Sequence, residues 1–172
     1  MGVLTIEEMK KKIEHKHVLL DANVLIEAYQ SPDKFTDLIE FLIASHCQPV
    51  IISLVQFEIS RNIFQPELIE AHKAYLAVWN FITLPLKEES DLLRDALKIA
   101  RYYAARKINN VSLADCFIAS FLKKYKTNLY LITRNHKDFP APLFVRDLVW
   151  TVDMPRDVVT FGFYRFDESQ LA

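Results

Sequence analysis

Short runs of apolar residues alternate along the chain with longer segments in which apolar residues recur every three or four positions. The first short run, Val18 to Leu20, is typical of a strand buried on both faces, and a helical pattern follows it at once. Similar runs at 49–53, 81–86 and 128–133 predict further strands with helices between them. Strands that alternate with helices predict an α/β fold with a parallel sheet covered on both faces.

Capping signals mark where the helices begin. Thr5 and Glu8 match a capping box at the start of a helix over about residues 6–15, and Ser31 precedes a proline at the first position of another helix. The other helices are expected to begin near residues 24, 53, 65, 88 and 112. In the helix at 88–105, the residues expected to face inward are Leu92, Leu93, Ala96, Leu97, Ala100 and Tyr103.

The C-terminal part of the chain gives a weaker pattern. Beyond Pro142, only Val158–Phe161 is predicted as a strand, followed by an unusually aromatic tail that ends at Phe166. Aromatic residues of this kind favour packing on the domain or pairing as an edge strand, and a surface for a partner is the alternative. We expect one domain over 1–172, with an N-terminal helical extension (1–16), a core that carries the motifs (17–140) and a C-terminal strand and aromatic extension (141–172).

Composition narrows the possible functions. A hydrophobic share of 51% favours a packed protein, and a net charge of -1 means that any site for a polyanion must be local. Gly2 and Gly162 are the only glycines, which excludes glycine-rich phosphate loops. No apolar run is long enough to cross a bilayer, and the first residues lack the apolar core of a signal peptide, so we expect a cytoplasmic protein with no membrane partner.

Acidic residues stand where strands end or helices begin. Asp21 directly follows the first strand, and ligands bind at the carboxyl ends of strands in open parallel sheets. Glu58 lies about one turn into the helix that Ser53 introduces, Asp115 begins another helix on its apolar stripe, and the turn at 135–138 follows a strand. Each position also has a structural alternative, as a helix cap, a solvated helix residue or a turn residue.

Carboxylates without histidine or cysteine suit hard divalent cations, Mg²⁺ or Mn²⁺. A site of this kind fits hydrolysis of a phosphodiester bond. A segment without acidic residues offers contacts to phosphates, although a solvated helix end explains it equally well. Its basic residues are Lys123, Lys124, Lys126, Arg134, His136 and Lys137.

Four short motifs together resemble the PIN-domain ribonucleases, and in particular the VapC-like toxins of toxin-antitoxin modules. The motifs are Leu20-Asp21-Ala22-Asn23-Val24-Leu25, Ser53-Leu54-Val55-Gln56-Phe57-Glu58, Ser112-Leu113-Ala114-Asp115 and Thr133-Arg134-Asn135-His136-Lys137-Asp138-Phe139. They span about residues 17–140 in the family's order.

The resemblance implies a three-layer α/β/α sandwich with a parallel sheet of about five strands, and a homodimer. It also implies metal coordination by Asp21, Glu58 and Asp115, with Asn135 or Asp138 at a more variable fourth position. Asn23 and Thr133 match positions that support the acids by hydrogen bonding, and Ser53 is given a supporting role as the residue that introduces the helix of Glu58.

The leading hypothesis is a Mg²⁺-dependent endoribonuclease with an RNA substrate, an antitoxin as a possible partner, and Asp21, Glu58, Asp115 and Asp138 as catalytic residues. RNA contacts are assigned to Lys123, Lys124, Arg134 and Lys137. One alternative is a catalytically silent module that binds RNA or protein, and another is a PIN nuclease in RNA processing outside toxin-antitoxin systems. A phosphotransferase of the haloacid dehalogenase type ranks low, because that family has a second aspartate where this chain has Asn23.

Overall fold

Helices and strands alternate through the part of the chain that the computed structural model describes, which comprises residues 4–63, 67, 69–83, 86–108, 111–141, 143–167 and 169, without the side chains at 62, 63 and 86–91. Seven α-helices lie within these residues: α1 (Ile6–Ile13), α2 (Ala22–Gln30), α3 (Thr36–Ala44), α4 (Ser53–Ile63), α5 (Ile69–Val78), α6 (Leu86–Ala105) and α7 (Leu113–Tyr125). The six strands are β1 (His17–Leu20), β2 (Gln48–Ile51), β3 (Ile82–Thr83), β4 (Leu129–Thr133), β5 (Phe144–Asp153) and β6 (Val158–Phe166).

The strands form one mixed sheet in the order β3-β2-β1-β4-β6-β5. The first four strands run parallel to one another, whereas β6 is antiparallel to both β4 and β5. The prediction of a parallel, five-stranded sheet is therefore wrong for the C-terminal part of the chain. The short connection at 154–157 accounts for the antiparallel pairing of β5 with β6, because a connection of this length joins neighbouring strands only as an antiparallel hairpin.

β1 is the strand from which the chain builds the sheet in both directions. It pairs with β2 on one side and with β4 on the other. From β1 the chain adds β2 and β3 on one side and then crosses back to add β4 on the other, so the strand order reverses between β1 and β4. All five side chains of β4 and the last three of β1 are buried. Since neighbouring side chains of a strand point to opposite faces, both faces of the sheet are covered at its centre.

The aromatic tail belongs to the core. β6 lies between β4 and β5, and Phe161 and Phe163 are fully buried. Phe161 makes an edge contact with Phe35, with ring centroids 5.5 Å apart, and Phe163 makes one with Phe41 at 6.4 Å. The tail packs on the domain as predicted, but it is an interior strand and not an edge strand.

β5 is an edge strand that the sequence pattern did not predict. Its register shifts between Arg146 and Leu148, where the pairing with β6 is irregular. Its buried side chains, Phe144, Leu148 and Val152, recur every four residues, so the pattern resembles that of a helix more than the alternation of a strand. The composition of the segment, which contains three valines, Phe144, Trp150 and Thr151, does favour a strand.

The capping signals and the inward-facing patterns of the helices are each confirmed only in part. Ser31 makes no side-chain capping hydrogen bond, because a single 3-10 turn over Pro32–Lys34 follows it and α3 begins only at Thr36. Thr5 and Glu8 form the predicted capping box of α1. The strand expected at 81–86 is reduced to Ile82–Thr83 because α6 already begins at Leu86, and Leu93 and Leu97 of α6 are exposed. Residues 65, 66, 68, 84 and 85, on which other predictions fall, lie outside the described residues. Among the described helices, none combines the length and apolar character that crossing a bilayer requires.

The burial of Phe163 predicts that the tail contributes to the stability of the whole fold. We expect Phe163→Ala to lower the free energy of unfolding by about 3–5 kcal/mol, as large-to-small changes do in well-packed cores. Val158→Ala, at a position of the same strand that is 56% exposed, should cost about 0.5 kcal/mol or less. Denaturant unfolding followed by circular dichroism measures both, and equal losses would contradict the assignment of the tail to the core.

Candidate active site at the carboxyl end of the sheet

A cavity of about 450 Å³ lies where β1 and β4 end. Crevices form at this place in open α/β sheets, because the connections of neighbouring strands diverge to opposite sides. The described residues that line the cavity are Asp21, Asn23, Ile26, Glu58, Arg61, Ser112, Asp115, Asn135 and Asp138. Four acidic side chains from four separate segments of the chain therefore meet in one cavity.

Asp21 occupies the single position between β1 and α2. It is the N-cap of α2, and its Oδ1 accepts a hydrogen bond from the backbone N–H of Ala22 at 2.7 Å. Its Oδ2 accepts from Nδ2 of Asn23 and from Oγ1 of Thr133, each at 2.6 Å. Although Asp21 is only 6% exposed, both carboxylate oxygens thus have hydrogen-bond donors.

Thr133, the last residue of β4, connects this strand to the end of β1 through hydrogen bonds. The Oγ1 atom that donates to Asp21 also accepts from Nδ2 of Asn23 at 3.1 Å and from the backbone N–H of Asn135 at 2.9 Å. Asn23 in turn accepts the backbone N–H of Arg134 at its Oδ1, at 3.1 Å. These contacts hold the start of α2 and the turn after β4 in one arrangement around Asp21.

The turn after β4 carries two more polar side chains into the cavity. Nδ2 of Asn135 donates to Oδ2 of Asp138, and the hydroxyl of Tyr103 in α6 donates to the backbone oxygen of Asp138 at 2.8 Å. Nδ1 of His136 lies 2.8 Å from the hydroxyl oxygen of Tyr164 in β6. The turn is therefore fixed from two sides, by α6 and by the aromatic strand.

Asp115 serves as a capping residue and lines the cavity as well. Its Oδ2 accepts from the backbone N–H and the hydroxyl of Ser112, at 2.9 and 2.5 Å, and its own N–H donates to the Ser112 hydroxyl at 3.1 Å. This is the capping box that the sequence predicts for α7. The structural alternative is thus correct for Asp115, and it does not remove the side chain from the cavity.

Glu58 reaches the cavity from the second turn of α4. The backbone N–H of Gln56 donates to the carbonyl of Ile52 at 3.0 Å, so Ser53 is the first helical residue. The predicted capping box of Ser53 and Gln56 would need Ser53 one position outside the helix and is therefore wrong. Ser53 is not among the described residues that line the cavity, but it begins the helix that presents Glu58.

Two carboxyl groups of the cavity, Asp21 and Asp138, have raised pKa values. Burial raises the pKa of Asp21 to about 6; the hydrogen bond from Thr133 opposes this effect, and the charges of Asp115 and Glu58 add to it. Burial, followed by the charge of Asp115, also raises the pKa of Asp138, against the hydrogen bond from Asn135. A cation in the cavity would relieve this repulsion.

The donors fit a hard divalent cation by their chemistry, because they are carboxylate and amide oxygens. Among the described residues, however, no three His, Cys, Asp or Glu side chains have the spacing to hold a metal ion. A cation among these side chains would therefore depend on water molecules for part of its coordination, as Mg²⁺ usually does in proteins.

The basic residues predicted to contact RNA lie outside the cavity. Lys123, Lys124, Arg134 and Lys137 are not among the described residues that line it. Lys123 lies in the last turn of α7, at the opposite end of the helix from Asp115, and its Nζ pairs with Asp95 at 3.1 Å. Nη1 of Arg134 pairs with Glu27 at 2.7 Å, while Lys137 is exposed next to Asp138. Lys123 and Lys124 are thus separated from the acids by most of a helix.

Arg61, Ser112 and Ile26 line the cavity without having been predicted as site residues. A signal for Arg61 was available in its spacing, since a residue three positions after Glu58 lies on nearly the same face of the helix. Ile26 and Ser112 lack such a signal, because an apolar residue in α2 and a helix cap have ordinary structural explanations.

Comparison with known proteins identifies the part of the chain that surrounds the cavity. The family model described as the PIN domain matches residues 18–141, which include every described residue that lines the cavity. No curated protein and no solved structure gives a significant match.

The raised pKa of Asp21 predicts a specific dependence of stability on pH. The folded protein keeps the Asp21 proton up to about pH 6, whereas the unfolded chain loses it near 3.8, so this group lowers the free energy of unfolding as the pH rises from 4 to 6. Asp21→Asn removes the effect. We therefore compare the free energy of unfolding of Asp21→Asn with that of the parent protein in a chelating buffer. Between pH 4 and pH 7, the value for the variant should rise relative to that of the parent protein by about 2–3 kcal/mol.

Denaturant unfolding at a series of pH values measures this difference. Asp37→Asn, at an exposed position in the first turn of α3, is the control and should show no comparable change. A difference between Asp21→Asn and the parent protein that stays constant with pH would contradict the prediction.

Proposed function

Since this chain belongs to the PIN domain family, whose members are typically nucleases that use divalent metal ions, we propose that it is a metal-dependent endoribonuclease. The observation that carries the proposal is the meeting of Asp21, Glu58, Asp115 and Asp138 in one cavity at the carboxyl end of the sheet. A polar cavity rich in carboxylates suits hydrolysis of a phosphodiester better than binding of an apolar ligand.

In this proposal Asp21, Glu58 and Asp115 hold Mg²⁺ or Mn²⁺, and Asn135 with Asp138 completes the site. The bound cation supplies activation of a water molecule and neutralises the charge that develops on the phosphate. Asp21 keeps a fixed orientation, because Ala22, Asn23 and Thr133 donate hydrogen bonds to its two oxygens. Asp138 accepts a proton from the attacking water at its carboxylate, and burial and the charge of Asp115 raise its pKa.

We extend the proposal to a biological role as a VapC-like toxin of a toxin-antitoxin module, acting in the cytoplasm as a homodimer with an antitoxin as partner. The four motifs support this role by their order and their residues. A short reading frame for a DNA-binding protein beside the gene would support it further. If that frame is missing, a PIN nuclease of RNA processing is the better assignment, and the chemistry is unaffected.

A catalytically silent module that binds RNA or protein is the second candidate. The observation that favours it is that, among the described residues, no three acids have the spacing of a metal site. The two candidates differ in whether a divalent cation binds at the cavity and whether bound RNA is then cut.

Asp115→Asn should abolish cleavage, because it removes one of the charges proposed to hold the cation. The assay uses end-labelled fragments of transfer and ribosomal RNA, with Mg²⁺ or Mn²⁺ and with chelator. We expect cutting by the parent protein only with the metal, and at least a hundredfold loss in the variant, in line with losses from single catalytic groups.

Glu8→Gln is the matched control for Asp115→Asn. Glu8 completes the capping box of α1 just as Asp115 completes that of α7, but it does not line the cavity. Full activity of Glu8→Gln beside an inactive Asp115→Asn would separate catalysis from helix capping. Undiminished cleavage by Asp115→Asn would refute the proposed mechanism.

Binding of the cation should also stabilise the folded protein. At a concentration of Mg²⁺ or Mn²⁺ about a hundred times its dissociation constant, the stabilisation is about 2.7 kcal/mol. We therefore expect thermal unfolding at pH 7 to shift upward by several degrees in the parent protein and very little in Asp21→Asn. Calorimetric titration with the metal alone should show one or two sites, and no heat and no shift would favour the silent module.

A further inference from the structure

α4 presents a large aromatic side chain, that of Phe57, to solvent one helical turn before Arg61, which lines the cavity. Phe57 is 67% exposed, and its neighbour in the sequence, Glu58, lines the cavity. Other residues of the same helix, Val55 and Ile59, are buried, so α4 has a core-facing side and Phe57 points away from it. A single exposed apolar side chain is common at a protein surface, so the exposure of Phe57 gains meaning only from its place on the helix that lines the cavity.

Arg61 lies on the same face of α4, four residues after Phe57. Residues at this spacing are neighbours on the surface of a helix. Arg61 is exposed and is the only cation among the described residues that line the cavity. An aromatic ring and a guanidinium group thus stand together at the edge of an acidic cavity.

We propose that Phe57 and Arg61 form a nucleotide-binding face of α4, with Phe57 stacking on the base next to the bond to be cut and Arg61 contacting a phosphate. The proposal rests on the proposed function, because it takes the cavity as the place where RNA is cut. Aromatic rings that stack on bases and guanidinium groups that bind phosphate are the usual combination for unpaired nucleic acid. The stacking requires a base that is free of its partner strand, so this face selects for unpaired nucleotides.

The guanidinium group of Arg61 is the feature of this face that favours RNA over a protein as its ligand, because it can bind a phosphate. The chain has a net charge of -1, and the four acids of the cavity repel a polyanion. RNA that reaches the cavity therefore needs a cation close to the acids. Arg61 meets this need at the cavity itself, whereas Lys123 is paired with Asp95 at the far end of α7.

The first experiment measures binding without cleavage. In a background of Asp115→Asn with Mg²⁺, fluorescence anisotropy follows the binding of a labelled single-stranded oligoribonucleotide and of the same strand in a duplex. We expect the single strand to bind more tightly than the duplex, and Phe57→Ala to weaken its binding about tenfold or more. Phe57→Trp, which keeps a ring for stacking, should retain most of the affinity.

Arg61→Gln should weaken binding of all sequences to a similar extent, and the slope of log affinity against log salt should fall by about 1. Arg61→Lys should restore the slope but only part of the affinity, because lysine lacks the planar fork of arginine.

Two controls match these variants. Ile43 is as exposed as Phe57 but lies near the end of α3, just before β2 begins, and Arg94 is an exposed arginine of α6 next to Asp95. Ile43→Ala and Arg94→Gln should leave the affinity within about twofold.

Cleavage kinetics separate this proposal from the proposed function. If the parent protein cuts RNA, Phe57→Ala should raise KM with kcat changed by less than about threefold. Unchanged KM and unchanged affinity in Phe57→Ala would overturn the role of α4 and leave the nuclease proposal standing. If RNA binding depends on Phe57 but the protein cuts no RNA, the result would support the nucleotide-binding face of α4 and refute the proposed nuclease activity. A change of oligomeric state in Phe57→Ala, seen by size-exclusion chromatography, with unchanged RNA affinity would assign the face to a protein partner and overturn the proposal.

Discussion

The arrangement of the site depends on a carboxylate buried where the two central strands end. Placing Asp21 out of water disfavours its charged form, and the pKa of about 6 reflects this. The fold offsets part of the effect with donors from both sides of the strand pair, the Ala22 amide and Asn23 from α2 and the Thr133 hydroxyl from β4. Thr133 and Asn23 are also hydrogen-bonded to each other. The orientation of Asp21 therefore depends on the register in which β1 pairs with β4.

The antiparallel hairpin at the C-terminus extends this constraint to the turn after β4. β6 lies against β4 with Gly162 opposite Thr133, and a side chain at Gly162 would meet the ring of Tyr164. The hydroxyl of Tyr164 contacts His136, which holds the turn that carries Asn135 and Asp138. Burial, followed by the charge of Arg146, lowers the pKa of His136, so the neutral ring is favoured at this contact. The aromatic strand thus supports one wall of the cavity as well as the core.

The parts of the fold and site that could be predicted from the sequence are those with a local cause. A buried apolar run followed by an acid is enough to place Asp21 at the end of a strand, and a capping box is enough to begin α7 at the position that presents Asp115. Long-range pairing has no such signature. The buried side chains of β5 recur every four residues and so obscure the strand. In α6, the exposed Leu93 and the buried Leu92 are distinguished by the position of α7. The same limit explains Lys123, whose distance from the acids follows from the direction of α7.

Helix capping and metal binding are not competing explanations for the acids at the cavity. A capping carboxylate is fixed at the positive end of a helix, where the exposed N–H groups favour its ionised form. In this fold α2 and α7 both begin at the carboxyl edge of the sheet, so their capping residues, Asp21 and Asp115, face the same space. A capping box therefore holds an acid at the cavity at no additional cost in ordering the side chain. For Asp115, the capping box that predicts a structural role also places the carboxylate where metal binding is possible. Glu8 of α1 has the same capping role, and it differs from Asp115 because α1 does not begin beside β1, α4 and the turn after β4.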